Sequence, residues 1–362
     1  MTGRERVLTV LSYKEADRVP RYDSFWEETI DRYESESGKP MKELLESFDF
    51  DIITFSMDVS MRFPVGREDH GDFEIIKDRC GYTVKKYKRK SLLGYQRHEV
   101  VGKEDWERER GRLSLDKEGE SRMDTEAYFL RTHPAPAWED AVRNINAAGG
   151  DKFRLLQFYG PFEATWRHHG HENTMMDCLL EPELVSEMFE ASTDLTIETL
   201  EYGLSLGLEI DGCWMVEDLA YTKSLLISPE TYRALIFPQH KRLGDYFHKK
   251  GLKFFVHACG DTSAILPDFI EAGVDALQPL QANTRMRVPA LKEQYGNKIT
   301  LFGNVDVRKL TGSFADIEEE VRRVVVPGKK GGGYIYHSDH SIPPEISLEN
   351  YMYLIKVLDE IG

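Results

Sequence analysis

His257 and Cys259 stand two positions apart at the end of a short apolar run, FVHACGD (255–261), and both have side chains that hold transition metals. On an extended strand, side chains at i and i+2 point to the same side, so an imidazole and a thiolate here can reach one ion. Zinc takes this nitrogen–sulfur mixture, and its catalytic sites add a third protein ligand and leave one position open. A partly buried cysteine beside a loop histidine fits the same pattern. The third ligand has to come from another strand end. His340 in HSDHSIPPE (337–345) is the first candidate, with Asp339 and Glu217 as substitutes.

The same arrangement recurs along the chain. Short apolar runs near 51–55, 153–158, 210–216, 253–257, 274–278, 299–303 and 333–336 are each followed at once by residues suited to chemistry. These are Ser56 and Asp58; Tyr159, Glu163 and Trp166; Glu217 and Asp218; His257, Cys259 and Asp261; Gln278 and Gln281; Asn304 and Asp306; His337, Asp339 and His340. Loops are polar in any protein, but His, Cys, Glu and Asp recurring just beyond several strands point to one shared face. A second cluster, His168, His169 and His171 in TWRHHGHE, lacks the HExxH spacing and reads as hydrogen-bonded loop histidines. No serine has an obvious paired base, so nothing reads as a nucleophile elbow.

The elements that must position these residues alternate. Helical patterns separate most of the apolar runs, including the Leu184, Met188, Ala191, Leu195 stripe and stretches near 230–250, 262–272, 314–325 and 347–360. The first helix starts at Thr2 with Glu5 completing a capping box, and DRVP (17–20) ends that region. Gly251 and Gly273 sit where helix C-termini take a left-handed residue. Strands alternating with helices predict a parallel sheet, and with an eighth strand near 19–26 or within 60–150 they make a (β/α)8 TIM barrel whose active site lies beyond the strand C-termini. No GxGxxG follows any strand, which argues against a dinucleotide fold. PGKKGGGY (327–334) reads as a turn into the last strand. Residues 60–150 break the rhythm, and DFEIIKDRCGYTVKKYKRK predicts a β-hairpin insertion after an early strand, with residues 1–362 forming one barrel domain around it.

Composition narrows the partners. The 362 residues carry 47 Lys+Arg against 63 Asp+Glu, a formal charge of −16, which repels nucleic-acid backbones. The one dense basic run, Lys85, Lys86, Lys88, Arg89 and Lys90, alternates like an edge hairpin and reads as a solvated face. No run approaches the ~18 apolar residues of a membrane span, and the opening MTGRERVLTVL lacks a signal-peptide core. Four unpaired cysteines then fit a reducing, cytoplasmic setting.

The chain resembles the uroporphyrinogen decarboxylase superfamily over nearly its full length. The resemblance rests on DRVP (17–20), LISPETYRALIFPQHKRL (226–243), FVHACGD (255–261), LFGNVDVRKL (301–310) and GGGYIYHSDHSIPPEISLENY (331–351), in that order. It implies a (β/α)8 barrel and one of two activities. Classical members decarboxylate tetrapyrrole acetate groups without a cofactor. The other branch consists of zinc-binding methyltransferases that pass methyl groups between small substrates and a corrinoid protein, as in methanol, methylamine and O-demethylation systems. Here HAC (257–259) matches the first two ligands of the methyltransferase zinc motif, and His340 falls where the third cysteine stands. Decarboxylases carry an arginine-rich segment where this chain has VPRYDSFWEE (19–28), and their catalytic aspartate is matched loosely by Asp58.

The expectation is therefore a zinc-dependent methyltransferase acting on a methoxy-aromatic, methylamine, methanol or methyl-thiol substrate, with the corrinoid carried by a partner protein. In it, His257, Cys259 and His340 hold zinc, Glu217 or Asp218 moves a proton, and Trp26, Tyr159, Trp166 and Asn304 line the substrate site. The alternatives are a decarboxylase-like lyase using Asp58 and His340, and a non-catalytic corrinoid- or metal-binding barrel. Some family members are dimers, and no interface in this sequence decides between monomer and homodimer.

Overall fold

The computed structural model describes residues 1–362 except Arg89, Ser91, Leu92 and Thr132. Its strands in chain order are β1 (Ile52–Met57), β2 (Gly66–Asp69), β3 (Phe73–Lys77), β4 (Tyr82–Tyr87), β5 (Leu93–His98), β6 (Met123–Asp124), β7 (Phe153–Tyr159), β8 (Gly212–Val216), β9 (Lys253–His257), β10 (Ala276–Gln278), β11 (Thr300–Phe302) and β12 (Tyr334–Ile335). The main sheet runs β12-β11-β10-β9-β8-β7-β1-β6, with β6 antiparallel to β1 and the rest parallel. Each apolar run read from the sequence is thus a strand.

The eighth parallel segment is residues 20–22, inside the 19–26 stretch. Tyr22 N–H donates to Tyr336 O and Tyr336 N–H to Pro20 O, while Asp51 N–H donates to Arg21 O at 2.9 Å. Both ends of the parallel array are therefore tied to one short piece of chain, which completes the (β/α)8 ring.

Side chains alternate across each strand. The outward set, including Leu156, Phe158, Cys213, Met215, Phe254, Val256, Leu277 and Leu301, packs under the surrounding helices. The inward set begins with a floor of Phe153, Leu155, Trp214, Phe255, Ala276, Phe302 and Ile335, closed from below by Val7, Val10 and Leu11 of the capped helix Gly3–Leu11. One inward position further along, the lining turns polar at His257, Gln278 and His337. This change from aromatic floor to polar layer marks the strand C-terminal face.

The predicted hairpin is present and larger than expected: β2-β3-β4-β5 form a four-stranded antiparallel sheet. Its central turn is Asp78–Gly81, where the Asp78 carboxylate accepts Cys80 N–H at 2.8 Å. In the basic run Lys85 lies 3.9 Å over the Phe73 ring, Lys86 pairs with Glu27 at 2.9 Å and Lys88 with Asp69 at 2.7 Å. Arg89 lies outside the described residues.

Two local readings need correction. PGKKGGGY is not all turn: the helix Phe314–Lys329 runs through Pro327 and Gly328 before Gly331–Gly333 turn into β12. His168 and His169 belong to the helix Pro161–His169, and His171 opens the helix His171–Leu180. Their burial explains the difference, since this helix lies between the hairpin sheet and the barrel and needs backbone hydrogen bonds along its length. No described helix is long and apolar enough to cross a membrane.

Candidate metal centre

His257 ends β9 on the inward side, and Cys259 follows two residues on. Gly260 then takes φ +84°, and a Cβ there would lie 2.6 Å from the Ala220 backbone, so only glycine lets the chain turn away beneath the β8 loop. The backbone N–H of Cys259 donates to Asp218 Oδ1 at 2.8 Å, which ties the β9 end to the β8 end.

These contacts bring three ligand types together. Cys259 Sγ lies 3.3 Å from His257 Nε2, and Asp218 Oδ1 lies 3.6 Å from the same nitrogen. Among the described residues Asp218, His257 and Cys259 form the one group whose possible ligand atoms all lie within 4.8 Å of one another. Zn–N and Zn–S bonds of about 2.0 and 2.3 Å at tetrahedral angles separate the ligand atoms by roughly 3.3–3.5 Å, so the spacing fits zinc. His257 Nδ1 faces Gln278 Oε1, which leaves Nε2 free to accept. Burial, reinforced by the Asp218 charge, pushes the Cys259 thiol well above its ordinary pKa, a cost that a bound cation would offset.

Asp218, rather than His340, lies beside the His257–Cys259 pair. The His340 side chain is exposed at the rim, and its Nδ1 meets Trp26 Nε1 at 3.4 Å with the rings 5.6 Å apart. The substitutes are committed elsewhere. Asp339 accepts Ala282 N–H and Val307 N–H, each at 2.9 Å, and so clamps three strand-end loops.

Glu217 is not placed to move a substrate proton. It is fully buried, and its oxygens accept Phe162 N–H at 3.1 Å and Glu163 N–H at 2.9 Å at the start of the helix Pro161–His169. His240 Nε2 lies 2.9 Å from Oε1, with Tyr232 OH behind it at 3.1 Å from Nδ1. Asp58 is likewise occupied: Arg62 Nε and Arg79 Nη1 donate to Oδ2 at 2.9 and 3.2 Å, and Ser60 N–H to Oδ1 at 2.9 Å. Burial pushes its carboxyl up, and the charges of Arg122, Arg62 and Arg79 outweigh that and hold it below the ordinary range.

Asn304 does not line the site. It is fully buried at φ +86°, its Oδ1 accepts Val288 N–H at 3.0 Å, and its Nδ2 donates to Met286 O at 2.8 Å. Tyr159 is the last residue of β7, and Trp166 lies in the helix Pro161–His169 that follows it. Tyr159 is level with Val216, which is level with His257 in the sheet register. A cavity of about 40 Å³ opens there between Ser56, Gln157, Tyr159, Val216, Tyr128 and Phe129. Trp166 Nε1 donates to Glu163 Oε2 at 2.8 Å, and Arg167 donates to Oε1 at 2.6 Å while lying 3.7 Å over the Tyr159 ring. Burial, with the Asp218 charge adding to it, raises the Glu163 carboxyl to about 7.

Within the segment VPRYDSFWEE, Arg21 and Asp23 are both buried. Arg21 is buried against Asp359 at 2.6 Å, and Asp23 is buried beneath Tyr336 and Tyr351. Of the histidine cluster, His169 bonds Val100 O and Asp177, while buried His168 is pushed down to about 3 by desolvation.

The family profile described as uroporphyrinogen decarboxylase (URO-D) matches residues 133–361, more than half of the chain and all of the barrel from β7 onward. The chain belongs to the uroporphyrinogen decarboxylase family. Within the family, it is 26% identical over 170 residues to a methylated-thiol–coenzyme M methyltransferase of Methanosarcina mazei, covering 46% of this chain and 43% of that protein. It is 22% identical over 184 residues to a uroporphyrinogen decarboxylase of Pelobacter propionicus, half of each chain. With a uroporphyrinogen decarboxylase of Mycolicibacterium gilvum it shares 29% over 231 residues, 59% of this chain and 62% of that one. The chain thus spans about half the length of the first two of these relatives. The solved structure of a methyltransferase from Methanosarcina mazei superposes with a TM-score of 0.65 over 99% of both chains at 16% identity, which bears on the fold.

Gln278 is the site residue that the sequence reading left without a role. Its signal is positional: it is the last residue of β10, on the inward face after Ala276, in register with His257.

Proposed function

We propose that this family member is a zinc-dependent methyltransferase that moves a methyl group between a small methylated compound and a corrinoid carried by a partner protein. The observation that carries the reading is the convergence of His257 Nε2, Cys259 Sγ and Asp218 Oδ1 at the barrel mouth. Bound there, zinc would supply Lewis acidity toward the heteroatom from which the methyl group departs or to which it is added. The chain's own side chains do the rest. Asp218, about two-fifths exposed, keeps one side of the centre open to substrate. Tyr159, Tyr128 and Phe129 give an apolar wall, and the small cavity between them suits compounds of few heavy atoms, of the methanol, methylamine or methyl-thiol kind. The name of the Methanosarcina mazei relative favours a methylated thiol.

The partner has a surface to use. On the same face a groove of about 480 Å³ is lined by Met175, Leu179, Leu225, Leu226 and Ile227 with Asp261 and Arg285. Leu179, Leu180, Met176 and Tyr221 are half-exposed or more beside it. An apolar patch of this kind next to a reaction centre supports docking of a protein that carries the methyl group. The decarboxylase reading is less well supported, because Asp58 is enclosed by Arg62, Arg79 and Arg122 and has no free edge for a pyrrole.

Metal analysis of protein purified without chelator, with methyl transfer between methylcobalamin and small thiols or alcohols, tests the proposal. Stoichiometric zinc and loss of the methyl–cobalt absorption are expected. Failure to retain zinc after supplementation removes the zinc reading. Zinc with no transfer to any acceptor leaves a metal-binding barrel without this activity.

A further inference from the structure

The polar layer above the aromatic floor contains a chain of hydrogen bonds with one direction. His337 is fully buried two residues beyond β12, and its Nδ1–H faces Ser338 O. Its proton is thereby placed on Nδ1, so His337 Nε2 is an acceptor. Gln278 Nε2 lies 3.2 Å from that nitrogen and 3.3 Å from Nδ1, and with Nδ1–H committed to Ser338 O only Nε2 can accept from it. This fixes which end of the amide points which way, and the carbonyl Oε1 is turned to His257 Nδ1. An acceptor there requires the His257 proton on Nδ1 and leaves the Nε2 lone pair facing Cys259 Sγ and Asp218 Oδ1. The chain is anchored at its far end, where Ser338 N–H donates to Asp23 Oδ1 at 2.8 Å.

We propose that Gln278 is a positioning residue, oriented by His337, that holds His257 in the one tautomer able to ligate a metal through Nε2. The inference rests on the metal reading of the Asp218–His257–Cys259 group. Gln278 is 3% exposed, so water does not substitute for its oxygen. Were the amide reversed, its NH2 would face Nδ1, the His257 proton would move to Nε2, and the nitrogen nearest Cys259 would be blocked. The same constraint explains why a long polar side chain occupies an inward strand position directly above Ala276 and beside Phe302, where an aliphatic residue would pack without any hydrogen-bond requirement.

The test uses the full chain labelled with 15N-histidine, with His257→Ala assigning the signal. Long-range 1H–15N correlation of the metal-free wild type is expected to show His257 protonated at Nδ1 and bare at Nε2. In Gln278→Leu the ring is expected to shift toward the Nε2–H form, and zinc affinity by chelator competition to fall about 10–100-fold. Gln278→Glu, which keeps an acceptor at Nδ1, is expected to bind zinc within a few-fold of wild type. His337→Phe, which removes the group that orients the amide, is expected to give a mixture of tautomers. A wild-type His257 protonated at Nε2 overturns the inference, and it does so whether or not any variant folds. Zinc binding unchanged in a folded Gln278→Leu overturns it too. A wild type with the expected tautomer but no zinc affinity instead removes the metal reading and leaves the tautomer assignment standing.

Discussion

The thiol of Cys259 and the imidazole of His257 face each other at 3.3 Å, with Asp218 Oδ1 3.6 Å from the same imidazole nitrogen. On the proposed zinc reading, removing one of these three donors leaves too few for tight binding. His257→Ala, Cys259→Ala and Asp218→Ala are each expected to lose zinc on dialysis, measured by elemental analysis, while the folded fraction by circular dichroism is kept. His340→Ala is expected to retain it, because His340 stands at the rim against Trp26. Zinc loss in His340→Ala with retention in Asp218→Ala would restore the ligand set expected from the sequence.

The barrel was legible because its signals are local. Each strand is a short apolar run, and period-two alternation together with glycine turns marks where it ends, as at His257 and Gly260. The pair His257 and Cys259 could be read for the same reason, since two residues on one strand share a side. What joins them could not. Asp218 and His340 both follow strands, and only the bond between Cys259 N–H and Asp218 places one of them in the group. Glu217, Asp58 and Asn304 have suitable chemistry but are consumed by groups the local pattern does not reveal: the Phe162 N–H, the arginines at 79 and 122, and the Val288 amide. A polar residue beyond a strand has two uses, clamping loops or meeting substrate, and three-dimensional partners decide which.

Glu217 provides a direct check on that division. Its carboxylate satisfies two N–H groups at the start of a buried helix and faces His240 at 2.9 Å. Glu217→Ala strands those donors and is expected to cost roughly 2–4 kcal/mol in urea denaturation, from lost helix capping and unpaired buried polar groups. Glu217→Gln keeps one acceptor and is expected to cost less, with methyl transfer per folded molecule close to wild type. A Glu217→Gln protein of wild-type stability and abolished turnover would return Glu217 to a proton-transfer role.

The groove beside the centre lets the proposed partner docking be tested apart from the chemistry. Leu179 and Leu180 are 74% and 71% exposed, and replacing them should leave the barrel interior untouched. Leu179→Asp with Leu180→Asp is expected to weaken transfer from a protein-bound corrinoid at least tenfold through KM, since desolvating two carboxylates against a partner costs more than ~1.4 kcal/mol. Transfer from free methylcobalamin is expected to be unchanged. Equal loss with both donors, or with neither, places the docking surface elsewhere.

Asp23 gives the pH dependence of stability. It is fully buried, and desolvation raises its carboxyl to about 7 despite hydrogen bonds from Ser338 N–H, Tyr351 OH and Tyr336 OH. In the unfolded chain it titrates at an ordinary ~3.9. Below that value both states hold the proton and the residue adds no pH dependence. Between about 4 and 7 the unfolded state releases a proton that the folded state keeps, so unfolding becomes more favourable as pH rises. Above about 7 the penalty is complete. The stability of wild type relative to Asp23→Asn, from urea titrations at fixed ionic strength, is therefore expected to decline by a few kcal/mol from pH 4 to pH 7 and then level off. A difference that stays flat across that window, or rises with pH, would mean that the folded protein carries Asp23 as an ordinary ionised carboxylate beneath Tyr336 and Tyr351.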